Sequence, residues 1–188
     1  MAGMNASDIV EAPSWSIRPE LPIDLDQIHE LHRQAFPGPA EAELVDAIRA
    51  GAGFLPELSL VAVAADGSVL GHILISVVGF ELDPAGSAQL QALVLAPLAV
   101  MPPHAGRGIG SALVRAALAV ADQREDAVIA VLGAPSLFGR FGFNPAAVLS
   151  VGSSVDSTGP AFQVRSVGGR PIEPGTVIYS PMFKVTSP

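Results

Sequence analysis

Three closely spaced glycines between an apolar strand and an apolar helix constrain this chain more than any other stretch. Residues 97–113 read Pro-Leu-Ala-Val-Met-Pro-Pro-His-Ala-Gly-Arg-Gly-Ile-Gly-Ser-Ala-Leu. Leu93 to Val100 is an apolar strand pattern that runs into a turn with Gly106, Gly108 and Gly110. A helix then starts at once, because Ile109, Leu113, Ala116, Ala117 and Val120 share one face at helical spacing. Glycines there let the backbone approach a ligand closely. The first N–H groups of the helix lack intrahelical partners and carry the positive end of its dipole. Together these features make a pyrophosphate cradle.

Three phosphate loops compete for this segment. A nucleotide-triphosphate loop needs Gly-Lys-Ser or Gly-Lys-Thr, and the sole lysine, Lys184, is far away. A dinucleotide fingerprint needs Gly-x-Gly-x-x-Gly followed by an acidic residue after the next strand. Gly106 and Gly108 fit its first positions, but Ser111 stands in the third and Ala130-Val131-Leu132-Gly133 has no carboxylate. The third pattern is the acyl-coenzyme A loop, Arg/Gln-x-x-Gly-x-Gly/Ala, and Gly108-Ile109-Gly110 fits its glycine half. On these residues alone, a turn that merely joins a strand to a helix stays open.

A second block sits beyond the helix: Val131-Leu132-Gly133-Ala134-Pro135-Ser136-Leu137-Phe138-Gly139-Arg140-Phe141-Gly142-Phe143. With Pro97-Leu98-Ala99-Val100 before the loop, it resembles the GNAT superfamily of acyl-CoA N-acyltransferases. The resemblance is to the bacterial branch with Pro-Leu-Ala-Val in one strand and Val-Leu-Gly-x-Pro-x-x-x-x-Arg-Phe-Gly-Phe later. Ile17-Arg18-Pro19, Gly71-His72-Ile73 and Gly175-Thr176-Val177-Ile178-Tyr179 with Phe183 extend it over about residues 15–185. It implies an α/β (α+β) GNAT fold, with a mixed, splayed sheet of about six or seven strands and helices on both faces.

The resemblance also implies a function. An acetyl group would pass from acetyl-CoA, a co-substrate, directly to a primary amine of a small molecule or peptide. The alternative is a catalytically impaired acyl-CoA-binding module of the same fold. Leu98, Ala99 and Val100 would offer backbone groups to pantetheine and the thioester. Ala105, Gly106, Arg107, Gly108, Ile109, Gly110 and Ser111 would surround pyrophosphate. Ser136, Phe138 and Arg140 would line the coenzyme from the second block. Two departures stand out. Ala105 replaces the Arg or Gln that opens the loop pattern, which weakens coenzyme binding but keeps the backbone cradle. Phe138 stands where the family often places a Tyr whose hydroxyl protonates the departing thiolate, and a phenyl ring donates nothing.

Composition narrows the remaining classes. A chain of 188 residues suits one domain with a substantial core, here residues 15–188 after a disordered tail over 1–14. Its apolar share of 49% and mean hydropathy of +0.47 include no run of the ~18–20 residues that cross a membrane. The excess is read as core and interface, which leaves a homodimer open. There is no secretory signal pattern, so the expected location is cytoplasmic. With no cysteine, a disulfide framework, a thiolate metal site and a cysteine acyl-enzyme are all excluded. Eighteen acidic against ten basic residues give a net charge of −8, with no basic face for nucleic acid.

Other side chains carry expectations of their own. Glu81, ending the strand before the loop strand, and His72 on that same strand are the candidate general bases, each with a structural role as its rival. His29 and His32 are three apart, but no further ligand set matches, so no metal is expected and both are read as surface histidines. Asp24 with Gln27 looks like a capping box for a helix carrying Leu25, Ile28, Leu31 and Ala35. A second helix is expected over about 39–50, strands over 58–64, 69–80, 89–100 and 127–132, and a short helix over about 136–140. Arg115 is read as a phosphate contact or a solvated charge, and Tyr179 as structural.

Overall fold

A computed structural model describes residues 14–83, 89–155 and 159–185. The expected N-terminal tail, apart from Ser14, lies outside these residues. Strand β1 (Trp15–Pro19) leads to helices α1 (Leu25–Ala35) and α2 (Ala40–Arg49). Strands β2 (Ser59–Ala64), β3 (Val69–Leu82) and β4 (Gln89–Val100) follow as antiparallel neighbours. Helix α3 (Ile109–Ala121) then crosses over to β5 (Val128–Leu132), which lies parallel to β4. A short helix α4 (Pro135–Phe138) precedes β6 (Asn144–Pro145), β7 (Val151–Ser153), β8 (Phe162–Ser166) and β9 (Gly175–Ile178).

The described strands form one mixed sheet in the order β1-β2-β3-β4-β5-β8-β6, with β9 on the far end of β3 and β7 on β9. Nine strands rather than six or seven arise because β6 and β7, of two and three residues, are too short for a periodic signal. Alternation along β4 supplies both faces of the sheet. Ala92 and Val94 pack under α1 and α2 with Ile28, Leu31, Leu44 and Val45. Leu93 and Leu95 pack under α3 with Ile109, Leu113, Val114 and Ala117. Each fully buried Leu or Ile contributes about 1.5–3 kcal/mol. Gly71 lets α3 sit close, since a Cβ there would meet Ile109 and Leu113 side-chain atoms at 3.0 Å.

The sheet opens where the sequence places a proline. β4 pairs with β5 only from Leu93 to Leu95, opposite Ile129 to Val131. Beyond Leu95 the register with β3 also shifts: Ile75 faces Leu95, whereas Ile73 faces Leu98. One residue of β3, Leu74, thus stands opposite two of β4, a bulge at Ala96-Pro97. Pro97 donates no ladder bond, and among the described residues no strand lies against the β5-facing edge of β4 from Ala96 to Val100.

One local expectation is corrected. Asp24 makes no side-chain cap for α1. Arg18 grips its carboxylate with two bonds of 2.6 and 2.9 Å, and the Leu21 N–H donates to it at 2.8 Å. The Gln27 side chain accepts instead from the Val69 N–H at 3.0 Å. Asp24 thus ties β1 to the turn at Pro22–Asp24 and Gln27 reaches β3, so neither caps α1.

Candidate active site

Gly106 and Gly108 adopt positive φ of 76° and 85°, where a side chain is strained. A Cβ built on either meets nothing within 4 Å, so both face open space. Gly108 is the N-cap of α3 and, having no side chain, leaves the first turn uncapped. The Ile109, Gly110 and Ser111 N–H groups therefore have no partner within the helix. Gly110 is already helical, and a Cβ there would touch Val100 at an ordinary 3.5 Å, which is why this place in the pattern accepts Gly or Ala.

A cavity of about 490 Å³ lies over this helix start. Of the residues expected to hold coenzyme, Leu98, Val100, Ala105, Gly106, Gly108, Ile109, Gly110, Ser111 and Arg140 line it. Arg140 is held in place: it donates to Ser111 Oγ at 2.9 Å and to the Leu137 carbonyl at 3.2 Å, and lies 5.0 Å from the Phe141 ring centre. Arg115 covers the same ring at 5.5 Å. Ala99, Arg107 and Ser136 are not among the lining residues. The uncapped N–H groups, the open glycines and one fixed guanidinium suit a phosphate-bearing ligand.

A second cavity, of about 280 Å³, lies where β4 and β5 part and shares Leu98 and Leu137 with the first. Phe138 lines it, although the ring is 5% exposed, packs edge-on against Phe143 at 5.8 Å, and presses on Gly133. A Cβ on Gly133 would meet that ring at 2.5 Å. Phe36, Glu41 and Leu44 also line this cavity. They lie 51 or more residues upstream of its β4 wall, and nothing in the sequence pattern ties the two together.

Both candidate bases are placed elsewhere. Glu81 pairs with Gln89 at the start of β4. That is eight residues from Pro97, roughly 26 Å at ~3.3 Å per residue, so it cannot reach the opening. His72 is fully buried, and both its ring nitrogens are engaged: Nε2 with Ser59 Oγ and Nδ1 with His32 Nε2, each at 2.9 Å. It lines neither cavity.

The network around His72 has a defined direction. Glu20 is a carboxylate and only accepts, so Ser59 donates to it at 2.6 Å. Ser59 then accepts from His72 Nε2–H, and neutral His72 accepts from His32 Nε2–H through Nδ1. Burial lowers the His72 pKa against the opposing pull of Glu20, and burial pushes His32 down to about 3. Burial opposes ionisation of Glu20, yet bonds from His72, Arg49 and Ser59 outweigh it and hold the carboxyl at about 2. His32 is thus a buried core residue rather than a surface one, stacked on Phe36 at 5.9 Å. His29 pairs with Asp46 at 2.8 Å at the surface. Among the described residues, no cluster of three or more His, Asp or Glu could hold a metal ion, and no helix is long and apolar enough to cross a membrane.

Comparison with known proteins agrees with this geometry. A family model described as the acetyltransferase (GNAT) family matches residues 25–143. The chain is similar to the uncharacterized N-acetyltransferase YhbS of Escherichia coli strain K12, at 38% identity over 149 residues, 79% of this chain and 85% of that protein. Its structure is similar to that of the E. coli GNAT family N-acetyltransferase YhbS in complex with CoA, with a TM-score of 0.80, 31% identity, and 94% and 95% of the two chains covered. It is also similar to a GNAT family acetyltransferase from Brucella melitensis in complex with acetyl-CoA, with a TM-score of 0.68, 30% identity, and 90% and 97% covered.

Proposed function

The chain belongs to the GNAT acetyltransferase family, and from that premise we propose that it transfers an acetyl group from acetyl-CoA directly to a primary amine of a small molecule or peptide. The observation that carries this reading is the junction of two cavities at the opening between β4 and β5. One cavity has the uncapped start of α3 for pyrophosphate, and the other is free to take an acceptor. The unpaired β4 edge from Ala96 to Val100 lies between them. Its backbone groups are available to pantetheine and to the thioester carbonyl.

Transfer then proceeds in one encounter. The neutral amine nitrogen attacks the thioester carbonyl carbon, the carbon–sulfur bond breaks, the proton from nitrogen passes to water, and coenzyme A departs as a thiolate. Holding both reactants at one opening supplies proximity, and backbone N–H groups of β4 polarise the carbonyl. A thiol with a pKa near about 8.5 is a tolerable leaving group without a proton donor, so Phe138 slows the step without forbidding it. A module that binds coenzyme but does not turn over is the second reading, and Phe138 favours it.

Single-turnover release of free coenzyme A, followed with a panel of primary amines, separates the two. Amine-dependent release accompanied by acetylated product supports transfer. Saturable acetyl-CoA binding with no release for any amine would leave the binding module.

A further inference from the structure

The side chains that line the smaller cavity are apolar except at one point, and Ala96 and Leu98 of the unpaired β4 edge also line it. Phe36, Leu44, Pro97, Leu132, Leu137 and Phe138 supply its walls, and Glu41 is the one ionisable group among its lining residues. Glu41 sits in the first turn of α2, where the helix dipole favours the carboxylate. It is half-buried, and no hydrogen bond or ion pair is found for it among the described residues. Glu43, also in the first turn of α2, is exposed and does not line the cavity, while Asp46 pairs with His29 and Arg49, and Glu20 with Arg49. Leu132, at the mouth of the cavity, is 46% exposed despite its size.

We infer that the acceptor is a primary amine carried on a compact apolar body, such as an arylalkylamine, and that Glu41 is the residue that selects it. This inference rests on the acetyl-transfer reading above. An ammonium group meets an uncommitted carboxylate, and the charge-assisted bond forms beside apolar walls. The body of the molecule covers Leu132 and fills a space of about 280 Å³, at the small end for ligand pockets. A polyamine or an aminosugar brings several polar groups, and the lining side chains offer an ionic partner to only one of them. A peptide main chain brings a donor and an acceptor with every residue, and only the short β4 edge at Ala96 and Leu98 lies in the cavity to meet them. Because this cavity shares Leu98 and Leu137 with the coenzyme cavity, the amine end of such a molecule lies beside the acyl group. Glu41 binds and orients the ammonium form; that nitrogen gives one proton to water at the mouth before it attacks as the neutral amine and a second on forming the amide, so the role of Glu41 is specificity.

The test uses the full chain loaded with coenzyme A. Phenethylamine, its uncharged analogue 2-phenylethanol, spermidine and glycylglycine are titrated calorimetrically, and turnover of the three amines is measured with acetyl-CoA. Phenethylamine should bind at least about tenfold more tightly than the other three. Glu41→Gln should weaken it roughly 10- to 100-fold, the range for loss of one charge-assisted bond, and Glu41→Asp should weaken it less. In turnover, Glu41→Gln should raise KM for phenethylamine while kcat at saturation and the affinity for acetyl-CoA stay within a fewfold of wild type. Preference for spermidine or glycylglycine, or phenethylamine affinity unchanged in Glu41→Gln, would overturn the inference. Amine binding with no turnover of any amine would instead overturn the transfer reading, so the two failures are distinguishable.

Discussion

Arg140 donates through Nη2 to Ser111 Oγ at 2.9 Å, across 29 positions of sequence. The bond joins the segment after α4 to the first turn of α3 and closes one side of the cavity over the glycine loop. Arg140→Ala should therefore weaken acetyl-CoA binding about tenfold or more, since it removes both a cation facing phosphate and a strut of the wall. Ser111→Ala should weaken it less, because the Ser111 N–H remains. Titration of acetyl-CoA into each variant measures this. An Arg140→Ala protein with wild-type affinity would show that the guanidinium only packs on Phe141.

Acid should destabilise the fold through the buried histidines before it reaches most carboxylates. Unfolded, His32 takes up a proton near its ordinary value of 6.5; folded, burial holds it down to about 3. Between those values the unfolded state binds more protons, so stability is fully present above about pH 6.5 and is lost as pH falls toward 3, by up to about 1.4 kcal/mol per pH unit for each such group. His72, also lowered, acts in the same direction. Glu20, ordinarily 4.5 and held at about 2 when folded, adds a further loss between those values. Urea unfolding at pH 7, 6 and 5 should show a declining midpoint, with a shallower decline in His32→Leu. A midpoint that does not change between pH 7 and 5 would contradict the buried neutral pair.

Phe138→Tyr should raise the single-turnover rate of acetyl transfer if its new hydroxyl reaches the departing sulfur. General acid assistance typically contributes about 10²–10⁴-fold, which sets the upper bound of the gain. The ring already lies 5% exposed against Gly133 and lines the smaller cavity, so the substitution adds one oxygen to a ring that is already in place. Equal and substantial rates in both proteins would mean that another group or water protonates the thiolate.

The sheet and its opening were legible because their signals are local. β2, β3 and β4 run close to the expected 58–64, 69–80 and 89–100. The glycine spacing located the start of α3 and most of the loop that lines the cavity over it. Register was not legible: without it, Glu81 looked like a neighbour of the site although its strand runs the other way to Gln89. Nor was tertiary capture of polar groups, which moved Asp24 from a cap to Arg18 and put His32 in the core against His72. Glu41 was missed for the same reason. Its role depends on α2 folding across the open end of β4, and helical spacing alone marks it as one more solvated acid.

The central claim is that the uncapped start of α3 holds the coenzyme, and calorimetric titration of acetyl-CoA into three proteins tests it most directly. Wild type should show saturable one-site binding. Gly108→Ala should retain it in weakened form, because a side chain at φ 85° strains the loop yet points into open space. Gly108→Glu shares that strain and adds bulk and negative charge at the pyrophosphate position, so its binding should vanish at millimolar ligand. Absence of saturable binding in wild type, or equal affinity in wild type and Gly108→Glu, would contradict the account.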